Sequence, residues 1–179
     1  GERMLDLVNN LLDLNKYEYN KQQIAYEDIN LNFLTKKILN EFIILFDEKK
    51  IEYIFKETLP DLLVACDKKQ ISVVMRNLIS NAIKFSNNEK FIQIEMSCDK
   101  YFVNWSITDK GVGVPEEEKD LIFEPFSQSS RTKSKAGGTG LGLTISSKII
   151  EAHKGSIQLN CLPIGSQFTF SIPIKQVEV

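Results

Sequence analysis

Apolar residues recur along this chain in two rhythms, and the places where one gives way to the other divide it into elements. Met4, Leu5, Val8, Leu11 and Leu12 fall at helical spacing, with Leu7 and Leu14 widening the stripe. This predicts a helix to about Tyr19, where Asn20-Lys21-Gln22-Gln23 begins a polar break. A lone helix of this length is marginal in water, so its apolar face needs a partner, either its own domain or the other members of a helical bundle. Ile24–Ile29 alternates loosely, as a strand does. Asn30 or Asn32 is placed to cap a helix carrying Phe33, Leu34, Ile38, Phe42 and Leu45 and ending at Glu48–Lys50. Ile51–Glu57 reads as a strand, turned at Leu59-Pro60-Asp61, with Leu62–Ala65 pairing back onto it. Asp67 then caps a helix that turns Ile71, Val74, Met75, Leu78, Ile79 and Ile83 inward.

Two strands follow, Phe91–Ser97 and Tyr101–Thr108, joined at Cys98-Asp99-Lys100. Trp105 in the second is expected to pack in the core. Leu141, Leu143, Ile145, Ile149 and Ile150 mark one more amphipathic helix, and Gly155–Cys161 with Gln167–Ile174 form a last hairpin around Pro163-Ile164-Gly165. The element order predicts a two-layer α/β sandwich: a mixed sheet covered on one face by three helices, with an N-terminal helical extension.

Composition narrows this little. The chain has 179 residues, is 42% hydrophobic and 26% charged, and carries a formal charge of −2. That balance offers no bulk attraction to nucleic acid or anionic membrane. The longest unbroken apolar run, Phe42-Ile43-Ile44-Leu45-Phe46, is far too short to span a bilayer, and no signal peptide is visible. Cys66, Cys98 and Cys161 are odd in number and widely spaced, which suggests neither a disulfide framework nor a zinc site and fits a reducing, cytosolic setting. The start at Gly1-Glu2-Arg3, already in helical pattern, reads as a piece of something longer.

The chemistry gathers between Asp109 and Leu143. Asp109-Lys110-Gly111-Val112-Gly113 opens this stretch and Gly138-Thr139-Gly140-Leu141-Gly142-Leu143 closes it. Between them lies a segment rich in Ser, Thr, Lys and Arg, broken by Phe123-Glu124-Pro125-Phe126. A glycine run leading into a helix N-terminus sets unpaired N–H groups and the helix dipole where phosphate would sit. On the helix after Asp67, Asn77, Asn81 and Lys84 fall at i, i+4 and i+7 and share one face. An amide carbonyl can ligate Mg²⁺, whose other ligands are phosphate oxygens and water, and the ammonium can neutralise phosphate. Taken alone, this stripe also suits a solvated face, and Asp109 also suits an ordinary turn. A carboxylate at a strand end beside two glycines is placed to accept from the exocyclic amine of a base. Together these features read as a nucleotide site with a mobile cover.

Four stretches, Asn77–Ser86, Asp109–Gly113, Phe123–Phe126 and Gly138–Leu143, resemble in order and spacing the four boxes of the sensor histidine kinase catalytic domain, over about Ile24 to Ile174. Leu5–Leu14 is similar to the end of the second helix of that family's dimerisation domain. The resemblance implies a Bergerat-type fold, with residues 1–20 the C-terminal part of the dimerisation helix and residues 21–179 the catalytic ATP-binding domain. It implies that Asn81 holds Mg²⁺, Asn77 supports the phosphate side, Lys84 contacts phosphate and Phe85 lies near ribose or base. Asp109 would read the adenine amine beside Gly111 and Gly113. Phe123 and Phe126 would anchor a lid of roughly residues 114–137. Gly138, Gly140 and Gly142, with Thr139, Leu141 and Leu143 between and after them, would present backbone N–H groups to the phosphates. Lys110 departs from the shorter residue usual after this Asp and is expected to point to solvent. Arg131, Lys133 and Lys135 form a basic cluster in the lid that either reaches the γ-phosphate or stays solvated.

In gyrase, mismatch-repair and heat-shock ATPases of the wider superfamily, a glutamate one turn before the metal-binding Asn activates water. Here that position is Asn77, whose amide is no general base at neutral pH. The resemblance therefore implies transfer of the γ-phosphoryl of Mg–ATP to a histidine rather than rapid hydrolysis. The partners implied are the dimerisation and phosphoacceptor helices of a homodimeric parent and, downstream, a response-regulator receiver domain. The location implied is cytoplasmic, with any membrane contact made through other parts of the parent. The one histidine, His153, stands near a helix C-terminus just before Gly155 and reads as an end-of-helix residue favoured by the dipole, not as the acceptor. A non-catalytic ATP-binding module and a superfamily ATPase are the alternatives.

Overall fold

The computed structural model describes residues 2–19, 23–58, 61–86, 89–131 and 138–175. The expected break at Asn20–Gln22, the turn residues Leu59 and Pro60, and Lys133 and Lys135 lie outside them. The order is α1 (Glu2–Tyr19), β1 (Glu27–Asn30), α2 (Leu31–Glu41), α3 (Ile43–Lys49), β2 (Glu52–Lys56), β3 (Leu63–Cys66), α4 (Lys68–Phe85), β4 (Glu89–Cys98), β5 (Phe102–Lys110), α5 (Gly142–Ala152), β6 (Ser156–Cys161) and β7 (Ser166–Pro173), with short 3₁₀ turns at Glu116–Glu118 and Leu121–Phe123.

Five strands form a mixed sheet in the order β2-β4-β5-β7-β6, parallel only between β2 and β4. Along β5 the period of two sends Val103, Trp105, Ile107 and Asp109 inward, all buried. After Phe102 the outward positions, Asn104, Ser106, Thr108 and Lys110, are polar. There Ser106 bonds Thr169 (2.8 Å), Gln167 Nε2 donates to Thr108 (3.2 Å), and Ser171 donates to Asn104. The core fills the space between the inward face and α2, α4 and α5, which makes two layers. Trp105 is its centre: fully buried, stacked on Phe170 at 5.3 Å, its indole N–H donating to Thr35 Oγ1 of α2 (3.0 Å).

Of the two capping candidates, Asn30 caps α2, its Oδ1 accepting from the N–H groups of Asn32 (3.0 Å) and Phe33 (3.2 Å). The single helix expected to Glu48–Lys50 is two, broken at Phe42, whose φ of −100° and ψ of 0° interrupt it. The break swings Phe46 into the core, where it stacks on Tyr53 at 4.5 Å, and leaves Ile43 and Ile44 exposed.

The expected return of Leu62–Ala65 onto the preceding strand does not occur: β3 pairs antiparallel with β1 in a separate two-stranded ribbon, and β2 runs parallel to β4 at the sheet edge. The reason lies at Asp67. Its Oδ1 caps α4 at the N–H of Gln70 (3.2 Å) while Oδ2 accepts from the N–H of Ala25 (3.0 Å), drawing the start of the domain alongside β3. Ala65 N–H in turn donates to Ile174 O (2.9 Å) just past β7.

Of the two partners open to the apolar stripe of α1, its own domain takes one side. Leu7, Leu11 and Leu14 pack on the domain core, while Met4, Leu5, Val8 and Leu12 are exposed.

Candidate functional site

One end of the site is Asp109, the last inward position of β5. Only 5% of it is exposed. Its Oδ1 accepts from Gly111 N–H at 2.9 Å, and Ser166, its register partner on β7, offers a second backbone N–H. Burial outweighs both donors and pushes the carboxyl up to about 6. Gly111 itself stands outside the cavity. A Cβ there would lie 1.9 Å from Phe85 O, so this glycine is required by packing against the end of α4 rather than by a ligand sliding past it. Lys110 is exposed, as expected.

The other end is built by α4 and α5. Asn77, Asn81 and Lys84 share a cavity of about 760 Å³ with Phe85, Asp109, Gly113, Phe126, Gly138, Thr139, Gly140, Gly142 and Leu143. Phe123 and Leu141 are not part of its lining: Leu141 is fully buried and Phe123 packs against the core. Asn77 is committed to α5, its Nδ2 donating to Gly142 O (3.1 Å) and Ser146 Oγ (3.2 Å). A Cβ on Gly138 would stand 3.1 Å from Lys84 Nζ, so the ammonium faces the glycine loop directly. α5 starts at Gly142 with no side-chain cap, and the first-turn N–H groups of such a helix lack intrahelical acceptors. Among the described residues no three His, Cys, Asp or Glu side chains are grouped to hold a metal. The donor that the cavity does present, the Asn81 amide, fits a magnesium ion whose remaining ligands are phosphate and water.

The described part of the cover is tied at several points. Phe123 packs edge-on against Phe168 with centroids 6.3 Å apart, and its carbonyl accepts from buried Thr144 Oγ1 of α5 (2.8 Å). Phe126 has a φ of +62° and its ring is exposed; it is held by its backbone, whose N–H donates to Gly140 O (3.0 Å). Gly140, at φ +72°, would bring a Cβ to 2.7 Å from the Phe126 backbone, so the two segments interlock. Glu118 accepts from Ser129 Oγ (2.9 Å) and Ser130 N–H (3.1 Å), and the Ser130 contacts hold its carboxyl below the usual range. Arg131 Nη1 donates to Val112 O (3.0 Å), which gives the one described member of the basic cluster a partner in the loop after β5.

The sequence reading missed an apolar floor of Val112, Val114, Ile122 and Phe168, and polar lining from Ser80, Ser127, Gln128, Ser129 and Ser166. Phe168 and Ser166 were within reach, since they continue the inward period of β7. It also missed Asp6, Leu7, Asn9 and Asn10 of α1. Asn10 meets Thr139 across 129 sequence positions, and no local pattern announces such a contact.

Residues 66–176 match the family described as histidine kinase-, DNA gyrase B-, and HSP90-like ATPase. The chain belongs to this family. Its relatives include sensor kinases. Sensor protein kinase WalK of Staphylococcus epidermidis is 32% identical over 99% of this chain, which spans 29% of that protein. The catalytic domain of histidine kinase ThkA is 32% identical with a TM-score of 0.77, covering 85% of this chain and 99% of that one. ThkA in complex with response regulator protein TrrA matches at 30% identity and TM-score 0.80, over 97% of this chain and 48% of that one. Full-length ShkA in complex with AMPPNP shares the fold, with a TM-score of 0.86 at 24% identity over 98% of this chain and 37% of that one. This is a histidine-kinase ATPase domain, and its sheet with helices on one face is the Bergerat-type fold. No described helix is long and apolar enough to cross a membrane.

Proposed function

We propose that the chain binds Mg–ATP in this cavity and, within its parent protein, passes the γ-phosphoryl group to a histidine on another segment. The observation that carries the reading is the polarity of one cavity: a buried carboxylate at one end, an amide-and-ammonium stripe facing a glycine loop and helix N-terminus at the other. Asp109 would accept from the exocyclic amine of adenine, and Phe85 and Gly113 would flank the base or ribose. Lys84 and the N–H groups of Gly138–Leu143 would hold the phosphates. Asn81 would hold magnesium, which supplies charge neutralisation at the transferring group when bound. Asn77 would fix the start of α5 from below, through its bonds to Gly142 and Ser146. Positioning and charge are what phosphoryl transfer needs, and a carboxylate base at position 77 is not among the residues present.

His153 is unsuited to be the acceptor. It is fully buried, with Nδ1 2.8 Å from Ile149 O and Nε2 accepting from Asp67 N–H at 3.1 Å. The acceptor then belongs to helices of the parent's dimerisation domain, of which residues 1–20 would be the C-terminal end and residues 21–179 the catalytic unit. The exposed face of Met4, Leu5, Val8 and Leu12 suits pairing with the same helices in a second copy. The ThkA complex with TrrA supports a response regulator as the final phosphate acceptor.

The test mixes the chain with a separate acceptor-helix domain and Mg–ATP. Acid-labile, base-stable label on the partner is the expected result, with none on the chain itself. Binding without transfer would indicate a regulatory module instead, and free phosphate alone an ATPase.

A further inference from the structure

One wall of the cavity comes from α1, a helix outside the catalytic layers. Asp6, Asn9 and Asn10 lie at i, i+3 and i+4 and share a face, and all three line the cavity. Asn10 Nδ2 donates to Thr139 Oγ1 at 3.2 Å, and the same hydroxyl accepts from Leu141 N–H at 3.3 Å. The contact therefore reaches the backbone that enters α5. In the same loop Gly138 faces Lys84 Nζ and Gly142 faces Asn77. Leu7, Leu11 and Leu14 seat the helix by packing on the core. Beside these inward leucines the helix turns a carboxylate and two amides toward the cavity and binds the glycine loop through one of them.

We propose that α1 is a working part of the nucleotide site. Asn10 orders the Gly138–Gly142 loop for the triphosphate, so affinity at the phosphate end depends on where α1 sits. By linkage, bound nucleotide holds α1 against the domain with the same free energy. The inference rests on the ATP reading above and deepens it: the helix that joins this domain to its dimerisation partner both senses and reports occupancy. Asn10 acts here as a positioning residue, through Thr139 and not on the reacting atoms.

Two measurements on the whole chain test this. By calorimetry, Asn10→Ala is expected to weaken Mg–ATP and Mg–ADP roughly two- to tenfold, the range of one neutral hydrogen bond, while adenosine, which lacks phosphate, binds as before. Asn10→Leu, which keeps packing and removes the donor, is expected to match Asn10→Ala. By hydrogen exchange, Mg–ATP is expected to slow exchange along residues 4–14 in the wild type and much less in either variant. A wild type that binds no nucleotide overturns the ATP reading and this inference with it. A wild type that binds, with both variants unchanged, overturns this inference alone. So does an equal loss for adenosine, which marks a general structural role, or a gain in ATP affinity, which marks α1 as a competitor.

Discussion

Burial raises the carboxyl of Asp109 to about 6, so at neutral pH the empty domain holds a desolvated anion. The shift of roughly two units from the ordinary value is worth about 3 kcal/mol against the fold at neutral pH. Because the folded value is the higher one, that stability is fully present below about pH 4 and lost as pH rises through 6. Asp109→Asn is therefore expected to raise the unfolding midpoint in denaturant while cutting ATP affinity tenfold or more. Wild-type affinity should fall about tenfold from pH 7.5 to pH 5 as the acceptor is protonated, a step that calorimetry should find missing in the variant. His153 has the opposite sign. Burial lowers its pKa, and its ring is held neutral, donating from Nδ1 and accepting at Nε2. The dipole expected to favour a charged imidazole at this helix end is overridden by desolvation. A depressed folded value means that this contribution is present above about pH 6.5, the unfolded value, and lost as pH falls through the folded one. His153→Ala should cost on the order of 1–3 kcal/mol at pH 7.5 and less at pH 5, by urea unfolding.

At the scale of elements, close contacts between backbones decide what the turns allow. A side chain at Gly111 has nowhere to go against the last carbonyl of α4, so Gly111→Ala should destabilise by roughly 2–4 kcal/mol in chemical denaturation. Farther along the cover, Ser129 and Ser130 are fixed by a side chain instead. Glu118→Gln should leave global stability nearly unchanged and speed proteolysis within residues 127–131, since a neutral amide holds Ser129 and Ser130 less well. Most elements were legible because local patterns wrote them: Asn30 and Asp67 as caps, the inward period of β5, and the glycine run opening α5. What was not legible was non-local. The partner of β3 was decided by Asp67 reaching Ala25 across 42 positions, against the default that neighbouring strands pair. The break at Phe42 followed from where Phe46 had to pack, which helix periodicity alone does not say.

For the whole molecule, the boxes are far apart in sequence and converge because α4, β5 and α5 are neighbours in two layers. Residue type and spacing revealed the convergent groups but not their duties. Asn77 proved to be engaged with α5, Phe126 to be held by its backbone, and the wall from α1 to lie beyond any local signal. With an amide at position 77, the chain alone should release phosphate from Mg–ATP slowly, and a colorimetric phosphate assay that finds rapid turnover would argue for the ATPase alternative. The single Trp105 lies wholly within the core, stacked on Phe170 and tethered to Thr35, and takes no part in the cavity lining. Its intrinsic fluorescence is thus a private gauge of the fold: the emission maximum should stay blue and unmoved as nucleotide is titrated in, and shift to the red only when denaturant floods the interior.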